Sequence, residues 1–448
     1  MIKKILNIVK EKNVQSLAGN VLTAGFGFLT FVVLTRSFDK EVFGEWILYL
    51  TGATFVEMFR FGITRTALIR FLSGAKDEDQ KKLIGSNWLI GIIASLIIAI
   101  VLWVVLLLFT EEVEASGFIL FFKWYPVLAF LNLPFNNALT ILQARQYFGQ
   151  IFIIKFLNSF LFFIGLTINL FWLHFDLIIV IWYHLGVSVF VSVVTMLAGW
   201  DGIKYLTKAN KETNKTILNF GKYTTLTLIG TNLLKSADTF IIALSPLGTS
   251  AVALYSIPLK LTEVLQIPLR SLVATAFPKM SKASVQNDIK MVRYYFYSYA
   301  GSLSILFIPI AVLGFFFSDF FVLILGGEQY IGIDPITGAS TSAIFKVFAV
   351  YGLLLPIDRL TGVGLDSINK PKKNFYKIIF MVTANIVGDL IAVFVFKSLL
   401  AVAIVTILFT LLGVIIGYYY LSKELQLKFR LIWIEGWKVY LMKIKQFI

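Results

Sequence analysis

The stretch IGSNWLIGIIASLIIAIVLWVVLLLF, residues 84–109, contains no charged residue and is long enough to cross a bilayer as one helix. Similar apolar runs recur along the 448 residues, of which 58% are hydrophobic and 15% are charged. A soluble domain carries about 25% charged residues, and the runs lack the alternating pattern of outer-membrane barrel strands. The sequence therefore predicts an all-α polytopic membrane protein.

About twelve of these runs have the length of a spanning helix. A charged segment near mid-chain divides them into two groups of six, and many transporters are built from two pseudo-symmetric halves around a central cavity. We predict an N-terminal half at 1–200, a cytoplasmic linker at 201–217, a C-terminal half at 218–420 and a basic amphipathic tail at 421–448. The predicted spans are 14–36, 43–66, 84–109, 118–142, 150–173, 177–199, 218–244, 250–276, 293–317, 341–363, 374–396 and 400–420.

Basic residues are concentrated in the connections on one side of the predicted spans. The segments RFLSGAKDEDQKK, DGIKYLTKANKETNK and NKPKKNFYK lie on this side, whereas TEEVEAS lies on the other. Because Lys and Arg are retained in cytoplasmic loops, both termini are predicted to be cytoplasmic. Topology then accounts for the net charge of +15, and nucleic acid is not expected as a partner.

The tail is rich in basic and aromatic residues, and Trp433 and Trp437 share one helix face. This composition predicts an amphipathic helix on the cytoplasmic leaflet. The alternative is a tail that packs on the cytoplasmic loops.

Catalytic chemistry has no signature in the sequence. The chain has no cysteine, which excludes disulfides, thiolate metal ligands and cysteine nucleophiles. It also lacks a glycine-rich phosphate loop, an HExxH motif and a nucleophile elbow. We therefore expect a transporter and not an enzyme.

Polar residues recur at three- and four-residue spacing on the first, second, seventh and eighth predicted helices, which places them on one face of each helix. A charge within the bilayer costs at least about 2.5 kcal/mol, so such faces point to a bundle interior or a water-filled cavity. These helices are predicted to line one central, net cationic cavity that suits an anionic cargo, since arginine binds two phosphate oxygens at once. The candidate substrate-binding residues are Asn20, Glu57, Arg60, Arg65, Asn232, Lys235, Lys260, Glu263, Arg270 and Arg359.

Two of these candidate pairs have another interpretation. Glu57 with Arg60, and Lys260 with Glu263, are three residues apart on their helices, the spacing of an intrahelical ion pair. Such pairs would hold the helices together without contacting a cargo. Arg270 has no acidic residue one turn away in its own helix, which favours a role in the cavity.

A second polar group lies on the eleventh and twelfth predicted helices. Asn385 and Asp389 are one turn apart, and Thr406 interrupts an apolar run. Carboxylate, amide and hydroxyl oxygens are the hard ligands that an alkali cation needs. The alternatives are an interhelical bridge for Asn385 and a bond from Thr406 to its own helix.

Three segments carry a family resemblance: GNVLTAGFGFLTFVVLTRSFDKEVFGEW, FRFGITRTALIRFLS and SADTFIIALSPLGTSAVALYS. They resemble the opening of each half of the Wzx-type polysaccharide flippases, which belong to the multidrug/oligosaccharidyl-lipid/polysaccharide (MOP) exporter superfamily. The resemblance implies a bacterial inner-membrane protein that moves undecaprenyl-pyrophosphate-linked oligosaccharides, of the O-antigen, capsule or exopolysaccharide type, to the outer leaflet. It implies alternating access driven by a Na⁺ or H⁺ gradient, contacts with membrane lipids, and polysaccharide polymerase or chain-length machinery as partners.

The lipid II flippases of the same superfamily have a sodium site in the second half. The resemblance carries it to Asp238 on the seventh helix, Asn385 and Asp389 on the eleventh, and Thr406 on the twelfth. In that picture Lys235 balances the charge left by two aspartates and one Na⁺.

Two rival functions remain open at this stage. A multidrug/cation antiporter shares the superfamily, but the first helix has no carboxylate before Asp39 to serve proton coupling. An integral-membrane enzyme of polysaccharide biosynthesis is the other, although the large external loop usual for polymerases is absent from the sequence.

Overall fold

The computed structural model describes residues 12–447, and this part of the chain contains helices but no strand. Its side chains are described except at 12–20, 223–224, 226–231, 234, 265, 274 and 442–447. The predicted all-α fold is confirmed.

The chain forms two compact units, and the boundary between them lies between Ser236 and Ala237. The helices that precede this boundary are mostly long and apolar. In chain order they are α1 (Lys12–Ser37), α2 (Lys40–Gly62), α3 (Arg65–Leu72), α4 (Asp77–Leu108), α5 (Thr110–Ala115), α6 (Ile119–Leu131), α7 (Leu133–Ala144), α8 (Phe148–Ile168), α9 (Leu177–Leu197) and α10 (Lys211–Ala243), which runs through the boundary.

The second unit begins with the last turns of α10. A π-helical turn at Ile391–Val395 extends the helix Pro371–Leu390 of this unit. Another, at Asn169–Leu173, extends α8 in the first unit. The helices of this unit are α11 (Gly248–Val285), α12 (Ile289–Phe316), α13 (Ser318–Gly326), α14 (Thr341–Ser367), α15 (Pro371–Leu390), α16 (Leu399–Leu425) and α17 (Phe429–Phe447).

Membrane-crossing length and apolarity are met by six helices in the described residues, or seven if the pair α6 and α7, bent by 52°, is one span. The six are α4, α8, α9, α12, α15 and α16, with α8 and α15 counted through their π-helical turns. Five further helices, α1, α2, α10, α11 and α14, carry the polar stripes and mid-helix charges found in the sequence. Together these helices cover the predicted spans, so the polytopic membrane fold is confirmed.

The segment after α9 packs against α4. Trp88 Nε1 donates a hydrogen bond of 2.8 Å to the carbonyl of Asp201. A Cβ on Gly85 would lie 2.1 Å from the Tyr205 carbonyl oxygen, so glycine is needed for this close approach. The first part of the predicted linker therefore packs against the first unit. It includes a 3₁₀ turn at Ile203–Lys208. The assignment of 201–217 as a linker between domains stays a prediction.

The core of the second unit is formed where α14 packs against α12 and α16. Its largest members include Phe296 and Phe307 from α12, Leu360 from α14 and Leu421 from α16. Each of these residues is at most 1% exposed. This packing places the polar residues of α14 and α16 inside the unit.

The tail helix α17 packs on the spanning helix α12. The backbone N–H of Lys428 donates to the Tyr297 hydroxyl at 2.7 Å, and the Tyr440 hydroxyl donates to the Ser302 carbonyl at 2.8 Å. Its other face exposes Trp433 and Trp437. The predicted helix is present, and its position on the cytoplasmic leaflet stays a prediction.

Candidate functional site

Three predicted cation ligands meet inside the second unit. Asn385 and Asp389 are one turn apart on α15, which puts both on one helix face. Asn385 Nδ2 donates to Asp389 Oδ2 at 2.7 Å and to Asp238 Oδ1, from α10, at 3.1 Å. One amide therefore bridges two carboxylates, and we call Asp238, Asn385 and Asp389, with their hydroxyl neighbours Tyr255 and Thr406, the acidic cluster.

Hydroxyl groups complete the acidic cluster. The Tyr255 hydroxyl, from α11, donates to Asp238 Oδ2 at 2.9 Å. Thr406 of α16 interacts with Tyr255, and its hydroxyl also donates to the Val402 carbonyl at 3.3 Å. The helix back-bond considered for Thr406 is thus present, and it leaves the oxygen lone pairs of Thr406 beside Tyr255.

The acidic cluster is almost completely removed from solvent. Asn385 and Asp389 are 0% exposed and Asp238 is 5% exposed. Two carboxylates in such a place are costly unless a cation or protons compensate them. Among the described residues, Asn385 Oδ1 and Asp389 Oδ1 are buried acceptors without a donor partner, and the Asp389 carboxyl group also contacts that of Asp238.

The donor set of the acidic cluster suits a small hard cation. It consists of carboxylate, amide and hydroxyl oxygens, with neither thiolate nor imidazole. In the described part of the chain, no group of three or more His, Asp or Glu side chains could hold a metal ion. Such oxygens suit a hard cation, whereas soft metals prefer thiolate ligands.

Tyr255 was not predicted from the sequence. It lies in an apolar run of α11 next to Ser256, which belongs to the predicted polar stripe. A single tyrosine in a spanning helix carries no periodic signal, because its ring also suits an apolar core. Its role appears only when α10 and α11 are seen to pack together.

The Glu57–Arg60 pair of α2 lies inside the first unit. The Arg60 side chain is 0% exposed and Glu57 is 23% exposed, with 2.5 Å between Nη2 and Oε1. Arg60 Nη1 also donates to Ser95 Oγ at 2.8 Å and to the Ala129 carbonyl. The intrahelical ion pair raised as an alternative is therefore formed, and Arg60 bonds within its own unit.

The Glu57 carboxylate has a second donor, the Tyr125 hydroxyl at 3.1 Å. The Arg60 guanidinium also lies 4.3 Å from the centre of the Phe61 ring. These contacts tie α2 to α4 and α6. Arg60 is thus bonded within the first unit, and a role toward a cargo stays a prediction.

Most other basic candidates are more exposed. Lys235, Arg65, Arg270 and Arg359 are exposed, and Arg65 donates to Gln143 Oε1 at 3.1 Å. Lys260, partly buried, pairs with the exposed Glu263 at 3.0 Å. Asn232 is partly buried, and the side chain of Asn20 lies outside the described residues.

Lys235 and Asp238 sit on α10 in different surroundings. Lys235 is exposed, whereas Asp238 is buried and bonded to Tyr255 and Asn385. Asp238 therefore has partners from other helices of its unit. A balancing role for Lys235 stays a prediction.

A buried ion pair in the second unit was missed. Lys377 of α15 is 3% exposed and lies 2.6 Å from Asp358 Oδ1 of α14. The sequence placed Lys377 in the cytoplasmic segment NKPKKNFYK, since lysine at a helix end is normally solvated. The missed signal was the four-residue spacing of Lys377, Met381, Asn385 and Asp389, which form the buried face of α15.

A family model described as "Polysaccharide biosynthesis protein" matches residues 11–284. No curated protein matches the sequence. Matches among solved structures are 14–15% identical, so they establish the fold.

An inward-facing multidrug resistance MATE family transporter of the MOP superfamily has a TM-score of 0.75, with 92% of this chain and 98% of that chain covered. The lipid II flippase MurJ in an inward closed conformation has a TM-score of 0.74, with 96% and 91% covered. A MOP superfamily transporter from Pyrococcus furiosus has a TM-score of 0.57, with 92% and 94% covered.

These proteins are described as transporters or flippases and not as enzymes, which agrees with the expected class. The family model covers more than half of the chain, and the fold is that of the MOP exporters expected from the resemblance. The chain belongs to the polysaccharide biosynthesis protein family and has the fold of the MOP superfamily.

Proposed function

We propose that this protein is a flippase that moves undecaprenyl-pyrophosphate-linked oligosaccharides from the cytoplasmic to the outer leaflet of a bacterial inner membrane. The polymer is of the O-antigen, capsule or exopolysaccharide type. Movement occurs by alternating access of the two units and is coupled to a cation gradient. A polysaccharide polymerase or chain-length machinery would receive the product.

The observation that carries this proposal is the separation of charges on the membrane helices. The acidic residues Asp238, Asp358 and Asp389 are buried inside the second unit, whereas Arg270 and Arg359 of the same unit are exposed. In the first unit Arg65 is exposed at the start of α3. The exposed candidate charges are thus mainly basic, with three guanidinium groups and the Lys235 ammonium against the Glu263 carboxylate, and guanidinium groups bind phosphate oxygens in pairs.

The same separation disfavours the antiporter alternative. A carrier of organic cations needs accessible carboxylates, and Glu263 is the exposed acidic residue among the candidates, paired with Lys260. The structural likeness to a MATE transporter concerns the fold, which one superfamily uses for different cargoes.

Sodium coupling is supported by the acidic cluster. Its ligands Asp238, Asn385, Asp389 and Thr406 would hold one Na⁺, and Tyr255 would position Asp238. A bound Na⁺ supplies one positive charge, which offsets one of the two carboxylates. Binding energy that differs between two conformations is what allows a gradient to drive one of them.

The test is a flipping assay in proteoliposomes that contain undecaprenyl-pyrophosphate-linked oligosaccharide. A membrane-impermeant glycosidase reports the fraction of oligosaccharide that has reached its side. We expect the purified protein to raise this fraction with time, and the variants Arg270→Gln and Arg359→Gln to slow it about tenfold or more, since a bidentate phosphate contact contributes roughly 1.5–3 kcal/mol.

The matched control is Lys82→Met, which removes a basic residue from an exposed pair with Asp79 at 3.1 Å on α4. Its flipping rate should equal that of the unaltered protein. A fraction that rises no faster than in protein-free vesicles would overturn the proposal.

A further inference from the structure

The ion pair between Lys377 and Asp358 has the geometry of an occupied cation site. Lys377 Nζ lies 2.6 Å from Asp358 Oδ1, 2.7 Å from the Asp358 carbonyl oxygen and 3.4 Å from Thr361 Oγ1. An ammonium has three N–H donors and no acceptor. Nζ thus donates hydrogen bonds to the carbonyl and the hydroxyl oxygen and forms a close ion pair with the carboxylate.

The hydroxyl is oriented to present lone pairs to the ammonium. Thr361 Oγ1 donates its own proton to the Asp358 carbonyl at 2.8 Å. Its oxygen therefore faces Lys377 as an acceptor. All three oxygens come from one turn of α14, and they are the ligand types that an alkali cation takes.

Helix α16 is shaped to let the lysine reach this turn. A Cβ on Gly417 would lie 2.5 Å from Thr361 Oγ1 and 3.1 Å from Lys377 Cδ. A Cβ on Gly413 would lie 3.0 Å from Asp358 Oδ1. Any larger residue at either position would fill the space through which the side chain passes from α15 to α14.

The site belongs to the same polar face as the acidic cluster. Lys377 and Asp389 are twelve residues apart on α15, about 18 Å along a helix that rises about 1.5 Å per residue. Tyr351, on α14, interacts electrostatically with both Asp358 and Asp238. Two groups of oxygen ligands therefore lie against the buried face of α15 in the second unit.

We propose that the oxygens of Asp358 and Thr361 form a second cation site and that the Lys377 ammonium occupies it as a tethered cation. The exchangeable cation is then confined to the acidic cluster, because the next site toward the predicted cytoplasmic end of α15 is already filled. The second site rests on these contacts and not on the cargo of the protein, whereas the confinement of the exchangeable cation rests on the proposed sodium coupling.

Removing the lysine should open the site to a free cation. The experiment compares Lys377→Ala and Lys377→Gln, each in an Asp389→Asn background so that the acidic cluster does not contribute. Melting temperature is measured in NaCl, in methylammonium chloride, and in choline chloride as the ionic-strength control. We expect NaCl or methylammonium to raise the melting temperature of the lysine variants by about 3 °C or more relative to choline, since a ligand of the folded state stabilises it.

Two controls make the result specific. Lys373→Ala removes a lysine one turn earlier on α15, paired with Glu424 at 2.5 Å and partly exposed, and should show no such preference. The double variant Lys377→Ala/Asp358→Asn removes both charges, which is tolerated better than removing one, and should lose the cation response.

Equal melting temperatures in the three salts for both lysine variants would overturn the proposal. So would an undiminished cation response in the double variant. Purified protein that appears for Lys377→Ala only when Na⁺ or methylammonium is supplied would support it. None of these outcomes depends on flipping, so a failed flipping assay and a failed second site are separate results.

Discussion

Asp238 and Asp389 share one amide donor, Asn385, which lies one turn before Asp389 on α15. The amide N–H₂ group donates to both carboxylates, which leaves its carbonyl oxygen free of hydrogen bonds in the described structure. An amide held in this way offers one more oxygen to a cation.

Spacing along one helix predicted the pair Asn385 and Asp389, since residues four apart share a face. The arrival of Asp238 from α10 was taken from a family resemblance, and the structure places it in contact. Tyr255 was missed because its role depends on a neighbour from another helix. The same four-residue spacing includes Lys377, but it does not show that Asp358 of α14 lies against this lysine. Periodicity describes one helix at a time and carries no information about which helices meet.

At the residue scale we predict that sodium stabilises the protein through the acidic cluster. NaCl should raise the melting temperature of the unaltered protein relative to KCl. At a concentration about 100 times Kd the gain is about 2.7 kcal/mol. Asp238→Asn and Asp389→Asn, which keep the shape but remove one charge each, should lose most of this gain.

The control for this measurement is Asp366→Asn. Asp366 accepts hydrogen bonds of 3.1 and 3.0 Å from Asn374 Nδ2 at the other end of α15, away from the acidic cluster. Its sodium response should match that of the unaltered protein. If Asp389→Asn keeps the full response, the cluster is not the sodium site; if the unaltered protein has none, H⁺ replaces Na⁺ in the proposed coupling.

Several contacts between helices require glycine, because the helices approach too closely for a side chain. Gly413 and Gly417 make room on α16 for the polar pair of α14 and α15. Gly301 of α12 and Gly436 of α17 bring two backbones together, since a Cβ on Gly301 would lie 1.9 Å from the Ile432 carbonyl oxygen. Small residues at such crossings are the usual way in which membrane helices pack closely.

The sequence predicted α17 as a helix but not its partner. Its aromatic and basic residues indicated an amphipathic element, and Trp433 and Trp437 are indeed exposed. The sequence did not indicate the buried face of α17, because the residue that packs against α12 is Gly436, which has no hydrophobic side chain. A contact made by backbones leaves little trace in hydropathy.

We predict that Gly436→Val separates α17 from α12. A Cβ at this position would lie 2.3 Å from the Gly301 carbonyl carbon, and relief requires the backbones to move apart. The cost should be about 1–3 kcal/mol, as in an overpacked core, seen as a lower melting temperature and faster proteolysis between α16 and α17.

Gly186→Ala in α9 is the matched control, because nothing lies within 4 Å of a Cβ placed there. This substitution should be neutral or stabilise by about 0.5–1 kcal/mol, since alanine restricts the unfolded chain and favours a helix. Equal melting temperatures for Gly436→Val and the unaltered protein would show that α17 is not held by this crossing.

At the scale of the whole molecule, hydropathy predicted the spans well because lipid requires every backbone group to be bonded within its helix. The placement of charges was harder. Lys377 lies within a basic segment and was counted with the cytoplasmic loops, yet it is buried. Arg60 bonds to Ser95 and the Ala129 carbonyl inside its unit, and its assignment to a cargo site stays a prediction. Charge alone does not distinguish an anchor from a ligand.

The orientation of the chain in the membrane follows from the same charges and is the last prediction. Because the sequence has no cysteine, single cysteines can be introduced without removing native ones. Lys208→Cys and Gln286→Cys, in basic connections, should react with a membrane-impermeant maleimide only from the cytoplasmic side. Glu112→Cys and Ile333→Cys, which are exposed in the opposite connections, should react only from outside.

The physical reason is that moving a cluster of Lys and Arg across the bilayer during insertion is disfavoured, whereas acidic residues contribute little. The four sites sample each unit on both sides, so the result tests the two units separately. Labelling of Lys208→Cys from outside would invert the first unit, and labelling of Gln286→Cys from outside would invert the second. Either result would place the Lys377 end of α15, or the exposed Arg65, on the opposite leaflet and reverse the proposed direction of transport.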